Sequence, residues 1–402
     1  MLTGKDIIIV GQQPWDTKIG SNCKDIAIEF SKHNRVLYVN SALDRITLRR
    51  NKNNPDVQTR IKVIKGQESG LVNISEKLFN LYPDVLIESI NWIKFTYLFD
   101  KLNYRNNKLF ATSIMKAVYK LGFKNFLLFN DNEMFKAFYL KELLNPVMSV
   151  YYSRDNMVGV PYWRKHGLKL EPKLIAKSDL CVANSEYLRD YCKEYNPNSF
   201  YVGQGCDFSL FDTANLQSIT EMEKLQRPVI GYVGALLTSR LDLKLLEGMA
   251  EEKPGWTFVL VGPEDEDFKQ SKLHQLPNVY FAGAQKPEKL PSYIHSFDVC
   301  MNPQLVNSIT IGNYPRKIDE YLALGKPTIA TKTPSMLAFQ EHVYLAENQS
   351  EYIAGISTLL QENGPSRSQK RISFALSHTW KNSVEKIYDA FLQTAAQKKI
   401  IL

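Results

Sequence analysis

The chain has 402 residues, 44% hydrophobic and 23% charged, which suits a soluble globular protein of two domains. No apolar run reaches transmembrane length and no signal peptide opens the chain, so a cytoplasmic protein is expected, attached at most peripherally to the inner face of the membrane. The net charge of +8 is uneven: residues 1–210 carry +9 and the remainder −1, which points the first half towards an anionic partner. Cys23, Cys181, Cys192, Cys206 and Cys300 are widely spaced, without a zinc or disulfide pattern, and read as reduced thiols.

Lys5–Gly11 is an apolar run ending in glycine, as in a parallel strand buried on both faces. Ser21 or Asn22 caps a helix over 23–32, and Arg35–Asn40 is a second strand. The first turn lacks Gly-x-Gly-x-x-Gly, so no dinucleotide fingerprint is supported. Asp44–Gly70, polar and basic, reads as a loop with at most a short strand near Arg60–Ile64. Aromatics then crowd Phe79 to Phe99, and 108–121 is an amphipathic helix carrying Lys108, Lys116 and Lys120. This basic, aromatic surface is a candidate for contact with an anionic membrane, although an aromatic stripe at helical spacing is more often core. Short strands return at Lys124–Asn130, Met148–Tyr152, Ser178–Ala183 and Phe200–Gly203, and Phe211–Gln226 reads as a linker. The alternation restarts at Pro228–Gly234, Trp256–Gly262, Asn278–Gly283, Asp298–Asn302 and Pro327–Thr331. A long amphipathic helix, 377–399, ends the chain. The expected domains are 1–210, 227–376 joined by the linker 211–226, and the terminal helix within 377–402.

Ligands of open α/β sheets sit beyond the carboxyl ends of the strands. In the second half those ends are Gly234–Arg240, Gly262-Pro-Glu, Asn302-Pro-Gln and Asn313–Glu320. Asn313 is a candidate helix cap, Pro315 fits the first turn and Gly325 stops the helix. Lys317 and Glu320 share one face, and Ile318, Tyr321 and Leu322 another. A helix N-terminus with a cation attracts phosphate, and a carboxylate one turn on can accept sugar hydroxyls. A surface Lys/Glu pair on an ordinary helix explains the same residues equally well. No HExxH, P-loop or nucleophile elbow is present, no metal constellation is visible, and the six histidines are scattered. The basic half lacks a recognisable nucleic-acid-reading element.

These residues resemble a known family. Asn313-Tyr-Pro-Arg-Lys-Ile-Asp-Glu-Tyr-Leu-Ala-Leu-Gly-Lys-Pro-Thr-Ile-Ala-Thr331 is similar to the donor-site signature of the GT-B fold glycosyltransferases of family 4, the glycosyltransferases group 1. Ile230–Gly234, Val259–Pro263, Asp298–Pro303, Ser178–Ser185 and Gly203–Phe211 support it. The resemblance implies two Rossmann-like doubly wound α/β domains facing a cleft, with the C-terminal helix crossing back to the first domain. It implies sugar transfer from a nucleotide-sugar donor to a glycan or lipid-linked glycan, in cell-envelope or exopolysaccharide synthesis, with retention, without a metal or other cofactor, and without nucleic acid. By carry-over, Glu320 holds the donor ribose, Lys317 and Arg240 hold the pyrophosphate, Gly20 faces the donor phosphates, and Gly234, Gly262, Asn302 and Asn313 complete the donor site. The family has a second glutamate where this chain has Gly312, which leaves sugar identity and stereochemistry open. An inverting outcome needs a carboxylate base, for which Asp155 is the candidate, with a salt bridge to Arg154 as its alternative role. A sugar-nucleotide epimerase on the same fold is the second reading, but no acid/base pair is identifiable for it. A non-catalytic binder of anionic ligands is the third.

Overall fold

The computed structural model describes residues 1–17, 20–211, 216–362 and 364–402, and divides into two compact units. The first comprises Met1–Gly203 and Trp380–Leu402, the second Gln204–Thr379.

The strands of the first unit are β1 (Asp6–Gly11), β2 (Arg35–Val39), β3 (Leu43–Asp44), β4 (Leu71–Ser75), β5 (Leu78–Leu81), β6 (Leu86–Ile87), β7 (Leu127–Asp131), β8 (Met148–Ser153), β9 (Leu180–Ala183) and β10 (Ser199–Tyr201). Eight of them form one sheet in the order β10-β9-β8-β7-β1-β2-β5-β4, parallel except at the β4–β5 hairpin, and β3 pairs with β6 apart from it. β1 and β8 are buried along their whole length because helices cover both faces. One face packs Ile7, Ile9, Tyr38 and Phe129 under the helix Asn22–Ser31; the other packs Ile8, Val10 and Leu128 under Thr96–Leu121. Ser21, not Asn22, caps the first of these helices. The terminal helix Trp380–Lys398 belongs to this unit: Trp380, Val384, Ile387, Tyr388 and Phe391 are buried in its core, and Tyr388 Oη accepts from Asn34 Nδ2 at 2.9 Å.

The second unit has β11 (Val229–Val233), β12 (Thr257–Val261), β13 (Val279–Gly283), β14 (Val299–Asn302), β15 (Thr328–Thr331) and β16 (Tyr344–Ala346). They form one wholly parallel sheet in the order β13-β12-β11-β14-β15-β16. The strand order reverses after β13, where the chain passes to β14 beside β11, as in doubly wound folds.

Several expectations need correction. Asp44–Gly70 is not a loop: it holds the helices Arg45–Arg50 and Pro55–Ile64, capped by the side chains of Asp44 and Asn54. The strand expected near Arg60–Ile64 is helical, because Val57, Arg60 and Val63 bury one helical face and Arg60 pairs with Asp16 at 3.0 Å. The helix expected at 108–121 begins at Thr96 and ends at Gly122, whose φ of +62° suits glycine. The aromatic stretch divides: Phe99 and Phe110 are core, whereas Trp92, Phe95 and Tyr97 are exposed. Within Phe211–Gln226, Phe211, Leu216, Ile219 and Leu225 pack on the core of the second unit, and Thr220–Glu223 is helical; residues 212–215 lie outside the described residues.

Candidate functional site

The site is built on the carboxyl edge of the second sheet. β11 and β12 run into Gly234 and Gly262, with φ of +145° and +152°. A Cβ on Gly262 would lie 1.9 Å from the carbonyl oxygen of Gly234, so the two turns stack only because no side chain intervenes. A Cβ on Gly234 would lie 2.7 Å from Tyr232 Oη and 2.9 Å from Lys317 Nζ. The glycine therefore leaves room for an ammonium against the turn. Neighbouring loops are tied to this edge. Leu236 N donates to Pro263 O at 2.8 Å, Thr238 N to Asp265 Oδ2 at 2.7 Å and Leu305 N to Arg240 O at 2.8 Å. Asp265 also caps the helix Glu266–Lys269 by accepting from Phe268 N.

The helix Arg316–Ala323 supplies the polar groups. Ile318, Tyr321 and Leu322 are fully buried, and Tyr321 Oη accepts from Val233 N at 2.9 Å, which fixes the helix to the end of β11. Asn313 does not cap it: the helix starts after Pro315 without a side-chain cap, leaving its first N–H groups without that partner. Asn313 Oδ1 has no hydrogen-bond partner among the described residues. Lys317 Nζ donates to Tyr232 Oη at 2.5 Å and lies 4.2 Å from that ring's centroid. No carboxylate forms an ion pair with it among the described residues. A half-buried cation resting on an aromatic ring, in the first turn of a helix, is suited to an anion.

Glu320 is half-buried, 3.4 Å from Arg316 Nε. Burial pushes its carboxyl above the usual range, and Arg316 and Lys317 only partly offset this. Because the folded group is harder to ionise than the unfolded one, Glu320 supports the fold at acid pH and opposes it as pH rises through its raised value. Glu320→Gln is therefore expected to raise the unfolding temperature of the second unit at pH 7.5, with the gain vanishing below pH 4. Thermal melts at the two pH values check this, and an unchanged or lowered neutral melting point contradicts it.

Asp319, its neighbour, went unnoticed in the sequence. It is fully buried and accepts from Tyr314 Oη at 2.8 Å and Cys206 Sγ at 3.4 Å, with His378 Nδ1 at 2.7 Å. These partners bind the helix to both ends of the unit's chain, at Cys206 and His378. Their separation in sequence leaves no local pattern to read.

Gly234, Gly262 and Lys317 thus come together, with Glu320 one turn along the same helix. Arg240 is exposed in the loop after β11, without an ion pair among the described residues. Asn302 ends β14, buried, with its Nδ2 lacking a partner among the described residues. Gly20 and Asp155 stand in the first unit. Gly20 is exposed just before the cap Ser21, and Asp155 pairs with Arg154 Nη1 at 2.5 Å while Arg154 Nε donates to buried Asp131 at 2.8 Å. Among the described residues, no three His, Cys, Asp or Glu side chains group as metal ligands, and no helix is long and apolar enough to cross a membrane.

Residues 227–362 match the family model for glycosyl transferases group 1. The chain is 28% identical over 240 residues to a Bacillus subtilis protein assigned provisionally as the teichuronic acid biosynthesis glycosyltransferase TuaH. That match covers 56% of this chain and 60% of the relative's length. Among solved structures, sucrose-phosphate synthase of Thermosynechococcus elongatus aligns with a TM-score of 0.64 at 13% identity, over 98% of this chain and all of the other. Anabaena HepE in complex with UDP and glucose aligns at 0.60 and 15%, over 97% and 100%. Trehalose 6-phosphate synthase of Burkholderia multivorans aligns at 0.66 and 10%, over 99% and 100%. At these identities the structural likeness establishes the fold. The chain has the GT-B fold, and its residues 227–362, which carry the Gly234, Gly262, Lys317 and Glu320 edge, are similar to the group 1 glycosyltransferases.

Proposed function

We propose that the protein transfers a sugar from a nucleotide-sugar donor to a glycan or lipid-linked glycan acceptor in cell-envelope polysaccharide synthesis. The observation that carries this is Lys317: an ammonium without a carboxylate partner among the described residues, seated against Gly234 at the start of a helix. The group 1 match over these residues, and the envelope polymer in the name of the Bacillus relative, support it. UDP in the HepE structures makes a uridine diphosphate sugar the first donor to try.

In this reading Glu320 accepts hydrogen bonds from the ribose hydroxyls, and Lys317 with Arg240 balances the departing diphosphate without a metal. The bond from the anomeric carbon to the diphosphate breaks as the acceptor oxygen forms its own bond to that carbon. The acceptor proton passes to the leaving phosphate oxygen. Attack on the leaving-group face retains configuration and needs no separate base, which leaves Asp155 in its pair with Arg154. The acceptor belongs to the first unit, whose basic surface suits a cytoplasmic enzyme resting on the anionic inner face of a membrane.

The test is a screen of UDP-, GDP-, ADP- and dTDP-sugars for release of nucleoside diphosphate, with proton NMR of the product. Transfer with retained anomeric configuration is expected from one donor. Inverted product would return Asp155 to the role of base. An altered donor sugar without transfer would favour the epimerase, and no turnover or binding of any donor would overturn the proposal.

A further inference from the structure

A cavity of about 660 Å³ opens in the first unit, between the helix Arg45–Arg50, the segment 87–92 and the helix Pro161–Lys177. Its volume is that of an ordinary small-molecule site. Two large aromatic side chains on its wall face solvent: Trp92 is 69% exposed and Tyr162 57% exposed. Single exposed rings are ordinary at a protein surface, but these two flank one cavity and the segments that carry them are held in place. Trp92 Nε1 donates to Ser89 O at 2.8 Å, and Asn91 Nδ2 donates to Tyr162 O at 2.8 Å. Flat apolar faces combined with amides are what a sugar requires, since its C–H face stacks and its hydroxyls need donors and acceptors. The wall supplies Asn51, Asn91 and Asn103. Asn91 Oδ1 and Asn103 Nδ2 have no hydrogen-bond partner among the described residues. Both atoms are shut off from solvent, so reaching them takes a side-chain rotation.

The charges on this wall do not balance. Asp44 is engaged by Ile46 N, Thr47 N, Thr47 Oγ1 and Ser89 Oγ, and Glu88 is held by Arg45 Nε at 2.9 Å. Lys136, beside Asp44, donates to Ser41 Oγ and Ala42 O. Arg50 and Lys165 have no carboxylate partner among the described residues; Lys165 Nζ donates only to Asn91 O, at 2.7 Å. Two cations are thus left over at the mouth of an aromatic and amide-lined cavity. Such a set discriminates for a sugar that carries a negative group.

We propose that this cavity binds a saccharide bearing a carboxylate or phosphate, stacked on Trp92 and Tyr162 and charge-paired with Arg50 and Lys165. That this saccharide is the acceptor rests on the transferase function proposed above; the binding itself does not.

Saturation-transfer NMR on the full chain tests it with three probes: methyl glucuronide, glucose 6-phosphate and neutral methyl glucoside. At least one anionic sugar is expected to bind ten-fold or more tightly than the neutral one, and the two anionic probes distinguish carboxylate from phosphate. Trp92→Ala and Arg50→Ala, both at exposed positions, are each expected to weaken that binding at least ten-fold while UDP binding stays unchanged. Absence of anionic sugar binding, preference for the neutral sugar, or unaltered binding in both variants would overturn the proposal. Anionic sugar binding lost in these variants, in a protein that binds no nucleotide, would uphold the cavity and count against the transferase reading instead.

Discussion

Replacing Gly262 with alanine is expected to lower the unfolding temperature of the second unit by roughly 5–20 °C and to remove nucleotide binding with it. Two costs combine. The new Cβ would sit 1.9 Å from Gly234 O, a backbone atom that cannot swing aside. Overpacking of this sort costs about 1–3 kcal/mol. A φ of +152° is open to glycine and strained for alanine, which adds about 1–3 kcal/mol. In a unit of this size each kcal/mol moves the midpoint by about 2–4 °C. Differential scanning calorimetry reads the shift directly. The first unit, with its own sheet and its own cores, should melt as in the parent protein, and a melt identical to the parent in both transitions would show that the two glycine turns do not stack as described.

Lys317→Ala is expected to weaken nucleoside diphosphate binding about 100-fold, since a charge-assisted contact to a desolvated phosphate contributes about 1.5–3 kcal/mol and the loss of countercharge adds to it. The fold should survive. Lys317 is only half-buried, and its removal leaves Tyr232 Oη near Ala235 O, 3.3 Å away. Isothermal titration of UDP and a UDP-sugar checks the loss, with Lys317→Arg restoring part of it through the same charge. A variant with parental affinity would make Lys317 a packing residue on Tyr232 and no more.

The architecture was open to sequence reading because its strands are short, apolar and glycine-terminated. Val229–Val233 and Thr257–Val261 are buried on both faces, so they read as continuous hydrophobic runs rather than alternating ones. Lys317 and Glu320 could be paired from their spacing because both lie on one short helix. The errors have the opposite cause. Pro55–Ile64 buries only Val57, Arg60 and Val63, one of them charged, so its hydrophobic signal is thin even though Asn54 and Pro55 mark its start. The cap expected at Asn313 failed because the chain turns at Pro315, after a loop whose course depends on Thr310 and Asn307. Asp319 stayed invisible because Cys206 and His378 reach it from opposite ends of the unit. The cavity at Trp92 and Tyr162 is assembled from five separate stretches, and no single window of sequence contains it.

The central claim is that a nucleoside diphosphate sits on the carboxyl edge of the second sheet. Hydrogen exchange, followed by mass spectrometry with and without the nucleotide sugar that supports turnover, tests it most directly. Protection is expected at 234–240, 262–265 and 313–321, the turns after β11 and β12 and the start of the Lys317 helix. Exchange unchanged in all three segments at saturating nucleotide, with protection elsewhere or nowhere, would contradict it.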